Sequence, residues 1–226
     1  MSPLKILFMN LIQFFQHFQQ CPFPRAFIQT VDQILGVCKE YPVPCTNRIH
    51  TIAPDTIDTY IGYFMEAFLI QKAERYNVKG RKYIKTPVKY YYSDPGLRNA
   101  RLGFRQLEET HLMENVLYND LIRRGFDVDV GVIEQNVRDE SGKNVRKQLE
   151  IDFVVNRGDE RCYIQSALSI NDPEKKEQEI ASLIRIPDSF KKIVVVKDYV
   201  KPWWDDNGIQ YVGIEDFLLD ESLISG

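Results

Sequence analysis

The fold is decided by three segments in the second half of the chain: His111-Leu-Met-Glu-Asn-Val-Leu-Tyr-Asn-Asp-Leu-Ile-Arg123, Leu149-Glu-Ile-Asp-Phe-Val-Val155 and Tyr163-Ile-Gln-Ser-Ala-Leu168. The first has apolar residues at helical spacing, and Glu114 lies on the partly buried face of this predicted helix. The other two are short runs rich in β-branched and aromatic residues, which is typical of strands. Strict alternation points Ile151 and Phe153 into the core and Asp152 to the opposite face. Because paired strands bring side chains together, we expect Gln165 to lie beside Asp152.

This order of a helix carboxylate, a strand aspartate and a strand glutamine resembles the PD-(D/E)XK nuclease superfamily. In that superfamily, a helix carboxylate, a strand Asp and a following Glu/Gln-x-Lys bind Mg²⁺ and activate water. The resemblance implies a catalytic set of Glu114, Asp152 and Gln165, in which Glu114 and Asp152 would bind Mg²⁺. Binding should be weak because the set carries few charges. The third element is Gln165-Ser166-Ala167, so alanine occupies the position of the lysine.

The absence of this lysine bears directly on catalysis. A metal-assisted phosphodiesterase needs a group that lowers the pKa of the attacking water or neutralises the transition state, and alanine does neither. We therefore expect a nuclease-like site that is weak or inactive. Lys175 or Lys176, near the start of the next predicted helix, is an alternative source of the lysine. If one of these two lysines reaches the site, the chain would be an active Mg²⁺-dependent nuclease.

The first hundred residues are predicted to form three helices followed by a β-hairpin, which is the order of a winged helix. The predicted helices cover about residues 3–20 and 24–41 and a segment that opens at Pro54; the predicted strands cover residues 69–76 and 82–92. The hairpin carries a run of cations, and Arg75, Lys79, Arg81 and Lys82 are the predicted phosphate contacts. A basic hairpin that packs against another domain or subunit would explain the same run.

The second half is predicted to have the order α-β-β-β-α-β. Asp172-Pro-Glu174 provides an N-cap, a first-turn proline and an acidic residue, and so it marks the start of the second helix. We therefore expect an α/β protein with two domains. A winged-helix-like unit would occupy residues 1–100, and a restriction-endonuclease-like (PD-(D/E)XK) domain would occupy residues 101–226.

A longer resemblance is carried by several short pieces, among them Thr56-Ile-Asp-Thr-Tyr-Ile61, Lys89-Tyr-Tyr-Tyr-Ser-Asp94, Leu112-Met-Glu-Asn-Val116, Tyr163-Ile-Gln165 and Asp216-Phe-Leu-Leu219. From about residue 56 to the end, the chain resembles the C-terminal region of bacterial and archaeal AAA+ ATP-binding proteins. In that group, a P-loop ATPase precedes a winged helix and a PD-(D/E)XK-like domain of unassigned function. The resemblance implies a DNA-binding or regulatory part of an ATPase-type protein. The sequence has no G-x-x-x-x-G-K-[ST], so it offers no phosphate-binding loop of its own.

Composition sets limits on the partners. The formal net charge is −3, so contact with nucleic acid requires a local basic patch, and we expect binding without sequence preference. The apolar start of the chain is too short and too polar to span a membrane. The four cysteines show no C-x-x-C pair and no zinc-like spacing with the histidines, so we expect reduced thiols. These features predict a cytoplasmic protein with Mg²⁺ as its only candidate cofactor. The candidate partners are nucleic acid and an ATPase domain or subunit.

Overall fold

The computed structural model describes residues 54–101, 108–138, 142 and 144–224. The helices predicted over residues 3–20 and 24–41 lie outside this range. The described elements, in chain order, are α1 (Pro54–Glu66), β1 (Ile70–Asn77), β2 (Lys82–Tyr92), α2 (Pro95–Arg101), α3 (Glu109–Arg123), β3 (Asp127–Arg138), β4 (Asn144–Arg157), β5 (Glu160–Ala167), α4 (Pro173–Ile184), β6 (Lys191–Val196), β7 (Trp203–Trp204), β8 (Ile209–Gly213) and α5 (Ile214–Leu219), followed by a 3₁₀ turn (Glu221–Leu223). The prediction of a mixed α/β chain is confirmed.

The eight strands of the described residues form one mixed sheet with the order β2-β1-β3-β4-β5-β6-β8-β7. The pairs β1–β2, β3–β4, β4–β5 and β7–β8 are antiparallel, and the pairs β1–β3, β5–β6 and β6–β8 are parallel. Helices α3 and α5 pack on one face of the sheet and α4 packs on the other, so the described residues form an apolar core on each face. From α3 to β6 the elements follow the predicted order of a helix, three strands, a helix and a strand.

Local signals account for the starts and turns of these elements. The Asp172 side chain accepts a hydrogen bond from the backbone N–H of Glu174 at 3.0 Å, and this caps α4 as predicted. At the β1–β2 turn, Asn77 Oδ1 accepts a hydrogen bond from the backbone N–H of Gly80 at 2.7 Å. The predicted hairpin is therefore present, within a residue of its expected bounds.

The position of this hairpin differs from the sequence expectation. A wing of a separate unit over residues 1–100 would stand apart from the second half. In the structure, β1 lies between β2 and β3, and residues 54–226 form one compact unit. The reason is apolar burial, because Ala73 and Tyr91 of the hairpin belong to the same core as α3. Tyr91 stacks on Tyr118 of α3 with ring centroids 4.0 Å apart.

A β-bulge interrupts the alternation of β4 at the candidate site. Asp129 pairs with Val154 but Gly131 pairs with Ile151, so β4 has one residue more than β3 in this interval. Ile151 therefore faces α4, whereas Phe153 faces α3. The prediction that both point into the same core is wrong for this reason. A Cβ at position 131 would lie 2.8 Å from both Ile151 Cβ and Val154 Cγ2, so the bulge requires glycine there.

Candidate functional site

Glu114 is buried on α3, with 7% of its surface exposed. Its Oε1 accepts hydrogen bonds from Lys89 Nζ at 2.8 Å and from the Tyr91 hydroxyl at 2.5 Å, both on β2. The next residue, Asn115, holds α3 against the same strand: it accepts from the Tyr92 backbone N–H at 3.0 Å and donates to its carbonyl at 2.7 Å. These contacts fix α3 to β2 and keep the Glu114 carboxylate against Lys89 and Tyr91.

Lys89 is shared between two carboxylates. Its Nζ lies 2.8 Å from Glu114 Oε1 and 2.6 Å from Glu150 Oε1, and Arg75 approaches the other oxygen of Glu150 at 2.6 Å. Burial lowers the pKa of Lys89, but the charges of Glu114, Glu150 and Asp152 outweigh it and raise the pKa well above its ordinary value. Lys89 is therefore a protonated, paired and largely buried cation.

Asp152 completes this group from β4. Its Oδ2 accepts hydrogen bonds from the Ser166 backbone N–H at 2.8 Å and from the Ser166 hydroxyl at 2.6 Å. Burial and, after it, the charge of Glu114 raise the pKa of Asp152, while Lys89 and Ser166 lower it, and together these effects raise the pKa to about 7. Two cations, Lys89 and Arg75, thus face three carboxyl groups, and Asp152 is the group that takes up a proton near neutral pH.

The structure therefore brings Glu114 and Asp152 into one polar cluster, while the Gln165 side chain is directed elsewhere. The Gln165 amide oxygen accepts from the backbone N–H of Asp152 at 3.3 Å, and its nitrogen donates to Glu179 of α4 at 3.3 Å. Its neighbours by alternation, Tyr163 and Ala167, belong to the core against α4. Gln165 therefore contacts the backbone of the bulge at Asp152, and the Asp152 carboxylate is contacted by Ser166 instead.

The arrangement does not fit the predicted Mg²⁺ site. Among the described residues, no group of three or more His, Cys, Asp or Glu side chains is placed to hold a metal ion. The predicted ligands are Glu114 and Asp152. The Lys89 ammonium already pairs with Glu114 at 2.8 Å and joins it to Glu150 at 2.6 Å, and its charge also acts on Asp152. Glu114 lies on α3 and Asp152 on β4, and the positive charge beside them is supplied by Lys89.

The lysine of the site is Lys89, and it is neither Lys175 nor Lys176. Lys175 is exposed, and Lys176 Nζ lies 4.8 Å from the ring centroids of both Trp203 and Tyr211. Sequence reasoning does not assign Lys89 to the site, because Lys89 precedes the candidate carboxylates and belongs to the hairpin. A signal was present: Lys89 and Tyr91 share a strand face, and a buried tyrosine on that face implies an inward lysine.

The four predicted phosphate contacts fall into two groups. Arg75 is ion-paired with Glu150, and only 16% of its side-chain surface is exposed. Lys79, Arg81 and Lys82 are exposed at the turn between β1 and β2. We call these three residues the hairpin tip. Arg75 belongs to the carboxylate cluster, and the tip is the part of the predicted surface that is open to solvent.

Comparison with known proteins adds two findings. The family model of a domain of unknown function (DUF8612) matches residues 46–108, which include the hairpin and Lys89. An uncharacterized protein of Haemophilus influenzae is 34% identical over 189 residues, which cover 84% of this chain and 43% of the relative. The chain therefore spans less than half the length of this relative. No solved structure matches. In the described part of the chain, no helix is long and apolar enough to cross a membrane.

Proposed function

We propose that this chain is a nuclease-like module that binds nucleic acid through the hairpin tip without cleaving it, and that it acts as the DNA-binding or regulatory part of an ATPase-type protein. The observation that supports this proposal is the division of the hairpin cations. Lys89 and Arg75 are paired with carboxylates inside the molecule, whereas Lys79, Arg81 and Lys82 are exposed. The first group neutralises the site that a nuclease would offer to a metal ion. The second offers positive charge to phosphates.

Binding to duplex DNA at increasing salt concentration tests the role of the tip. Because each neutralised phosphate releases condensed counterions, replacing Lys79, Arg81 and Lys82 with alanine should weaken binding to all sequences. It should also flatten the plot of log K against log salt by roughly one unit per lost contact. Fluorescence anisotropy with labelled oligonucleotides measures both the binding affinity and its salt dependence.

A second triple variant controls for the change in net charge. Lys147, Lys175 and Lys201 are exposed elsewhere, and their replacement with alanine removes the same number of cations. This variant should keep the salt dependence of the wild type. If neither protein binds duplex DNA even at low salt, the tip is not a nucleic-acid interface. The docking of an ATPase domain or subunit then becomes the better interpretation. More than half of the relative lies outside the matched region, which leaves room for such a domain in that protein.

An active nuclease is the second candidate, because Lys89 lies against Glu114 and contributes to the electrostatic environment of Asp152. We expect no cleavage of duplex or single-stranded DNA with Mg²⁺ or Mn²⁺, because the ammonium is already paired with two carboxylates. Gel analysis with the wild type and Asp152→Ala provides the measurement. Strong cleavage that is lost in Asp152→Ala and in Lys89→Ala, but kept in Lys175→Ala, would establish the active alternative instead.

A further inference from the structure

We propose that the Lys89 ammonium takes the place of a divalent metal ion in this site, so that the carboxylates of α3 and β4 are held together without metal. The proposal rests on the nuclease-like layout of the proposed function and adds to it the identity of the resident cation. It predicts a specific exchange: when Lys89 loses its charge, the same carboxylates become able to bind a divalent cation.

The Lys89 charge lies where a bridging cation would lie. Lys89 Nζ lies within 3 Å of one oxygen of Glu114 and one oxygen of Glu150, at 2.8 and 2.6 Å, and these residues are on different elements. A bound cation joins ligands from separate elements in the same way. Here the joined elements are β2, α3 and β4, so the lysine fastens the hairpin to the second half of the sheet.

A carboxylate without a partner would be costly at this depth. Glu114 and Asp152 are 7% and 9% exposed, and a buried charge without a partner is strongly unfavourable. Lys89 supplies the positive charge that these groups need, and Tyr91 and Ser166 supply hydrogen bonds. If Lys89 becomes neutral, the carboxylates must take up protons or another cation. Carboxylate oxygens are the ligands that Mg²⁺ and Mn²⁺ prefer.

The experiment is a titration of the full chain with Mn²⁺, followed by electron paramagnetic resonance. The wild type should show no saturable Mn²⁺ site at millimolar concentrations, and its melting temperature should not change with Mn²⁺ or with a chelator. Lys89→Gln should gain a saturable Mn²⁺ site that binds at least about tenfold more tightly than the wild type binds Mn²⁺. A second substitution at a carboxylate that Lys89 contacts, Glu114→Gln or Glu150→Gln, should remove this site. Lys72→Gln is the matched control, because Lys72 lies on the same hairpin and pairs with Glu74 at the surface. This variant should behave as the wild type.

Two outcomes would overturn the proposal. One is a wild-type protein that binds Mn²⁺ and loses this binding in Glu114→Gln or Glu150→Gln, because the metal would then be resident beside the lysine. The other is a folded Lys89→Gln chain that gains no Mn²⁺ site. If Lys89→Gln does not fold alone, refolding with Mn²⁺ decides the question: recovery of a cooperative melt supports the proposal, and no recovery contradicts it. Because DNA binding is measured separately at the hairpin tip, its failure would count against the proposed function and leave the Mn²⁺ result standing.

Discussion

Asp152 illustrates what a single residue type signals in a sequence. An aspartate within a strand is disfavoured, and this predicts a special environment at position 152. The environment itself depends on residues far apart in the chain, since Ser166 donates two hydrogen bonds to the carboxylate, Glu114 raises its pKa and Lys89 opposes that rise. Local sequence cannot encode this combination, because each partner arrives through tertiary packing.

Asp152 should give the protein a pH-dependent stability. Its folded pKa, about 7, is above the value of about 3.9 for an exposed aspartate, so the folded state binds more protons than the unfolded state across this interval. Asp152 therefore adds to the free energy of unfolding at about pH 4, and this stabilisation is lost as the pH rises through about 7. Urea denaturation of the wild type and Asp152→Asn at several pH values measures this difference. Asp206→Asn, at an exposed position, should change nothing, and a wild type with the same pH dependence as Asp152→Asn would contradict the assignment.

At the scale of elements, the sequence predicts what local rules control. Turn residues and apolar spacing place the β1–β2 hairpin, and an N-cap places the start of α4. The bulge in β4 is not predicted, because it follows from the register between two strands and not from the pattern of either one. It places Ile151 and Phe153 on opposite faces of the sheet. The side chains of Ile151 and Val154 then leave no room for a Cβ at position 131.

Gly131→Ala tests the role of this bulge. The new methyl group would lie 2.8 Å from Ile151 Cβ and Val154 Cγ2, so the strands must separate, and an overpacked core costs about 1–3 kcal/mol. We expect the free energy of unfolding in urea to fall by this amount. Gly62→Ala is the control, since no atom lies within 4 Å of a Cβ there and alanine favours a helix. Equal stability of Gly131→Ala and the wild type would show that the bulge tolerates a side chain.

At the scale of the whole molecule, the hairpin and the second half form one structure. The sequence predicts a boundary near residue 100, because turn signals and a change in element order coincide there. The sheet crosses this point through the parallel pairing of β1 with β3. Such pairing joins strands that are distant in the chain, and no local pattern reports it. Lys89, Tyr91 and Glu114 add the side-chain contacts between the two parts.

A single sheet should unfold as a single cooperative unit. Tyr91 is buried at one side of the sheet and stacks on Tyr118, so Tyr91→Ala should lower the free energy of unfolding by about 3–5 kcal/mol. Both tryptophans of the sequence lie in β7 at the opposite edge, and their fluorescence therefore reports on the far side of the sheet. The urea midpoint that they report should fall together with the midpoint from far-UV circular dichroism. Tyr83→Ala, on the exposed face of the same hairpin, should have a much smaller effect. If Tyr91→Ala leaves the tryptophan transition in place and melts only part of the dichroism signal, the hairpin is an independent unit and the boundary near residue 100 is real.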